Sequence, residues 1–163
     1  MRAIGLLLTY VVTFAVCVGL TVTGALVARE YSSFFSSYVD QAGRREIRSA
    51  RTLVLLNNLR TLLLTSVPCA GILIGFWSAF MTGVVLGLRT GMGLVSVATV
   101  IFSRPHAILE YSAHTLVLSE NLLLSMDVLV KGNPVGRREV ARYVIAVSAG
   151  LLMLVIAAHL EVP

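Results

Sequence analysis

Hydrophobic residues in this chain form long runs separated by short polar, basic stretches. The first run, residues 4–28, matches one helical membrane crossing, which needs roughly 20 apolar residues. Met1-Arg2 before an apolar run has the look of a secretory signal, but Ala3 to Ala28 is longer than a signal core and reads as a first transmembrane helix. From Arg29 to Arg51 the chain turns polar, with Arg44, Arg45, Arg48 and Arg51 gathered at its end. Within it Tyr31, Phe34, Phe35, Tyr38 and Ala42 fall at helical spacing opposite Ser32, Ser33, Ser36 and Ser37. That period predicts an amphipathic helix over residues 30–51, lying in the membrane interface or packed against the spans from outside.

The next apolar stretch, Thr52 to Phe102, is too long for one crossing and is interrupted by Asn57, Asn58, Arg60, Pro68 and Arg89. One division gives spans at 59–80 and 84–102 with a tight turn at Met81-Thr82-Gly83. The other gives a Pro68-kinked helix from Thr61 to Leu88, a turn at Arg89-Thr90-Gly91 and a short re-entrant helix to Phe102. A further span, 106–129, starts after Pro105, a residue favoured in a first helical turn, and is stopped by Lys131-Gly132-Asn133-Pro134. The last span covers 142–160, after Arg137 and Arg138.

The first division makes the chain an all-α integral membrane bundle: one transmembrane domain, 1–163, of five spans plus the amphipathic helix. It puts Arg2, Lys131, Arg137, Arg138 and Arg142 on one side and the arginines of the first loop on the other, whereas four spans with a re-entrant helix put both basic loops together.

Composition agrees with a bilayer as solvent. Of 163 residues 57% are hydrophobic and 13% charged, with a mean hydropathy of +0.89. Five spans fill such a length and leave no room for a separate soluble catalytic domain. The net charge of +5 comes from basic residues between apolar runs, where they meet lipid headgroups; no basic face with stacking aromatics suggests nucleic acid. Cys17 and Cys69 sit in apolar runs without metal-ligand spacing. With no phosphate loop or nucleophile elbow in sight, neither an enzyme nor a cofactor is expected. The expected location is the plasma membrane, crossed several times, with lipid, other membrane proteins or further copies of the chain as partners.

Three features stand out within the apolar runs. Gly71, Gly75, Ala79, Gly83, Gly87 and Gly91 recur every fourth residue and offer a flat ridge for close helix packing, or a gap for a permeating solute. The ridge winds around its helix, because four residues exceed one 3.6-residue turn. His106, Glu110 and His114 stack at i, i+4 and i+8, with Arg104 just before them. Ionisable groups in a membrane helix cost roughly 2.5–3.5 kcal/mol each and turn inward. Three roles compete for this face: structural pairing of Glu110 with Arg89 or Arg104, a path for ions or protons, or a metal site, for which the carboxylate stands between the histidines, unlike the zincin arrangement. The third feature, Asn57-Asn58, lies where the second span enters the membrane, a place for capping or interhelical hydrogen bonds.

Taken in order, Asn57-Asn58, the Gly71 and Gly75 ladder, Gly83, and Pro105-His106 with Glu110 resemble the stage II sporulation protein M family of small polytopic membrane proteins. The resemblance covers residues 50–115; Thr82 stands where that family has Asn before the turn glycine, and Ala107 where it has Gly. It implies a five-span layout turning at Gly83 and a non-enzymatic scaffold that anchors partner proteins. A small transporter or channel component, moving ions or protons past His106, Glu110 and His114, is the competing expectation.

Overall fold

A computed structural model describes residues 2–34, 50–90, 99, 101–130, 132 and 134–160. Among them the secondary structure is entirely helical: α1 (Arg2–Glu30), α2 (Ala50–Thr65), α3 (Ala70–Thr90), α4 (Pro105–Leu129) and α5 (Arg137–Leu160). Three stretches are long and apolar enough to cross a membrane: Gly5–Glu30, Ala70–Leu88 and Arg137–Leu160, with mean hydropathies of 2.3, 1.9 and 2.2.

The helix ends follow local chemistry. Arg29 in the last turn of α1 and Glu139 in the first turn of α5 complement the helix dipole. Pro105 opens α4, and Arg104 before it is extended (φ −111°, ψ 114°), as steric clash with a following proline ring requires. Pro68 has no N–H to continue a helix, so α2 stops at Thr65 and α3 begins at Ala70.

That break corrects the expected spans at 59–80 and 84–102. Residues 66–69 form the link, and α3 runs unbroken through Met81-Thr82-Gly83, where a turn was expected. Gly83 reverses nothing; it seats Thr21 of α1, whose carbonyl lies where a Cβ would stand. The amphipathic helix expected over 30–51 falls largely outside the described residues, as do Gly91 and most of 91–100. Residues 32–34 are helical, and Ala50 and Arg51 belong to α2.

Contacts fix the direction of each helix. Thr21 meets Gly83, Gly24 meets Phe80 and Val84, and Ala25 meets Gly87, so α1 and α3 run parallel. Gly150 of α5 lies against Leu62 of α2 and Val117 of α4. Tyr143 bonds Ser66, and Arg142 bonds Glu120, so α5 runs against both. Direction therefore alternates along the chain. Helix α4 touches all four others.

The bundle is apolar outside, and inside it buries polar residues beside an apolar core of Leu62, Ala113, Val117 and Leu154. Leu73, Trp77 and Ile145 are 76%, 64% and 68% exposed, whereas Thr21, Thr65, Thr115, Ser119, Glu120 and Asn121 are buried. An exterior of that kind is satisfied by lipid tails, and a central helix shielded by four neighbours can carry charge that an outer one cannot.

A polar pocket between α2, α3 and α4

Asn57, Asn58, Thr61 and Thr65 of α2 face Gly75, Ser78, Ala79 and Thr82 of α3 across a pocket of about 110 Å³. Helix α4 supplies its third wall with Glu110, Tyr111, His114, Thr115 and Leu118, and Cys17 of α1 completes it. The two arms of the α2–α3 hairpin run antiparallel from the Pro68 link, so polar residues at helical spacing on each come face to face. The lining is graded. Asn57 and Thr82 are exposed, while Thr65, Thr115 and Leu118 are each 1% exposed, which places the mouth near Asn57 and the floor near Thr65.

Three of the lining hydroxyls, those of Thr82, Tyr111 and Thr115, are spent on the protein. Thr82 donates to Ser78 O and Thr115 to Tyr111 O, the back-bonding also seen at Thr9, Thr21 and Thr23. Thr21 directs its single proton at the carbonyls of Cys17 (3.0 Å) and Ala79 (2.9 Å), so the Tyr111 hydroxyl must be the donor in their 2.6 Å bond. Two polar atoms depart from this economy. Thr65 Oγ1 and His114 Nδ1 are buried and have no hydrogen-bond partner in the protein. Both belong to pocket-lining residues, and the space is large enough for several water molecules or a small solute. Buried and unmet, such groups would each cost about 1–3 kcal/mol.

At the closed end the link is tied to α4. Asn121 Nδ2 donates to the carbonyls of Thr65 (2.7 Å) and Val67 (2.9 Å), and its Oδ1 accepts from Cys69 N (3.2 Å) and Ser125 Oγ (3.1 Å). These groups are free to bond because the helix is broken there. On another face of α4, Glu120 is buried and paired with Arg142 at 2.6 Å. A wider groove, about 590 Å³, opens among α1, α4 and α5 near Thr9, Asp127 and Glu139.

The expected polar face is thus divided. Glu110 and His114 line the pocket with Asn57 and Asn58, while His106 and Arg104 are not among its lining residues. The side chain of Arg89, one expected partner of Glu110, lies outside the described residues. Among the described residues no three His, Cys, Asp or Glu side chains form a group able to hold a metal ion. The glycine ladder serves three neighbouring helices, α1, α2 and α4. Gly83 and Gly87 seat α1, and Gly71 and Gly75 seat Thr65, Asn121 and Leu118. Sixteen residues turn a helix through roughly 160° beyond whole turns, so the two ends of the ladder face nearly opposite ways. Sequence reasoning missed Thr65, Tyr111, Asn121 and Ser125. The signal for the last two was present, since Glu110, His114, Asn121 and Ser125 share one helical stripe. Compared with known proteins, the chain matches no family model, no curated protein and no solved structure.

Proposed function

We propose that this chain is a small, non-enzymatic membrane component that binds a proton, an ion or a small polar solute beside Glu110 and His114 and passes it along the bundle. The observation that carries the reading is the pair of buried, unpartnered atoms, Thr65 Oγ1 and His114 Nδ1, in residues lining one polar pocket. A purely structural polar face would be expected to satisfy its own atoms, as the Asn121 cluster does. The reading includes five crossings of the plasma membrane, supported by the alternating helix directions; α4 crosses in contact with all four other helices. The scaffold expectation uses residues 29–51 and the small-residue ridge to hold partners or further copies of the chain, and the geometry of the pocket gives it no added support.

The test is flux in proteoliposomes, followed with a pH-sensitive dye and then with small cations. Wild type should exceed protein-free vesicles, and Glu110→Gln or His114→Ala should lower the rate at least about tenfold, the scale of losing one charge-assisted contact of 1.4 kcal/mol or more, while circular dichroism stays unchanged. Absence of any wild-type flux, together with partner capture that depends on residues 29–51, would return the chain to the scaffold reading.

A further inference from the structure

At the inner end of the pocket, where Thr65, Thr115 and Leu118 are each 1% exposed, one apolar side chain stands among polar ones. On α4 the residues Glu110, His114, Leu118, Asn121 and Ser125 stand at i, i+4, i+8, i+11 and i+15, all within one stripe of the helix. Four are polar. Leu118 alone is apolar, and it is 1% exposed. Its side chain lies in the notch of the α2–α3 hairpin, opposite Gly75: a Cβ on that glycine would stand 2.9 Å from Leu118 Cδ1, 3.2 Å from Cδ2 and 3.1 Å from Thr65 Cγ2. Below it lies the Asn121 cluster, whose partners Val67 and Cys69 are already exposed on the far side. Thr65 on the pocket floor and exposed Val67 are two residues apart. The apolar part of the barrier between pocket and far side is therefore one side chain thick, with the fully buried Asn121 beneath it.

We infer that Leu118, seated on Gly75, is the seal that makes this pocket one-sided, and so sets what crosses between the polar pocket and the Asn121 cluster. The inference rests on the proposed function for what is carried, but not for the seal itself. A leucine is suited to the task. It offers no hydrogen bond to a hydrated ion or a water, and a glycine opposite lets it fill the notch without strain.

The experiment maps access with silver ion, a small charged thiol reagent, in chloride-free buffer. In a Cys17→Ser, Cys69→Ser chain carrying Thr65→Cys, reconstituted in vesicles of either orientation, Ag⁺ is applied to one face and the remaining thiol is counted with maleimide after denaturation. With Leu118 in place, protection is expected only from the face on which α1 ends. Adding Leu118→Ala should raise the reaction rate from the link face at least about tenfold, Leu118→Met should not, and Leu118→Val gives an intermediate variant should alanine impair folding. Equal access from both faces with Leu118 present, or an unchanged link-face rate in the alanine and valine variants, would overturn the seal. Sided access without any solute flux would leave the seal standing and remove the transport reading; flux with unsided access would do the reverse.

Discussion

Asn121 uses its whole side chain, donating twice to the α2–α3 link and accepting from Cys69 N in the link and from Ser125 Oγ on its own helix. Truncating it strands the carbonyl of Thr65, whereas Val67 O still accepts from Gly71 N and the Cys69 N–H still donates to Ser125 Oγ. Asn121→Ala should therefore lower stability by about 1–3 kcal/mol, read by denaturation in mixed micelles, the cost of one stranded group. Asn121→Asp keeps the acceptor and should fall between. The Glu120–Arg142 pair behaves differently, because one partner is buried and the other 39% exposed. Arg142→Ala leaves a buried carboxylate unpaired and should cost about 1–3 kcal/mol in thermal unfolding, below the 3–5 of a fully buried pair. Adding Glu120→Gln should recover part of that loss, since coupled residues are not additive. Their pairing was not legible from charge spacing alone, for the partner of Glu120 is 22 residues away on another helix.

At the scale of elements, the α1–α3 seam is built from small residues on both sides: Thr21, Gly24 and Ala25 against Gly83 and Gly87. With no water to expel between them in lipid, such helices associate by close backbone approach. Gly83→Val should disrupt assembly, seen as loss of the monodisperse peak in detergent, because the added carbons meet the backbone of Thr21. Gly19→Ala is the control; nothing lies within 4 Å of its Cβ position, and the peak should stay unchanged. In the link, Cys69 holds φ at 63°, a conformation that costs an L-residue roughly 1–2 kcal/mol and glycine little. Cys69→Gly should thus raise stability by up to about 1 kcal/mol, since the greater freedom of glycine in the unfolded chain offsets some of the relief. The four-residue ladder of glycines was legible as a packing surface. Which helix it packed against, and that Gly83 lay within a helix, were not, because a glycine that permits a turn also permits close contact.

For the whole molecule, alternating directions put the α1 start, the 66–69 link and the α4–α5 connection at one end, and the ends of α1, α3 and α5 at the other. Reporter fusions at the first residue and at the last should then report opposite sides of the membrane under the proposed five crossings; the same side for both would sink that topology. The sequence by itself determined the solvent and the element type, because apolar runs of bilayer length have no other stable fate than helices whose backbone bonds are internal. It also marked the α4 start at Pro105 and placed Glu110 and His114 on one face, since both depend on local spacing. Tertiary structure decided the rest. Whether chain reversal used Pro68 or Gly83 turned on Asn121, more than 50 residues away, offering hydrogen bonds to a broken helix end. The pocket, its unpartnered atoms and the Leu118 seal likewise exist only where α2, α3 and α4 meet, and no period along one strand of sequence encodes that meeting.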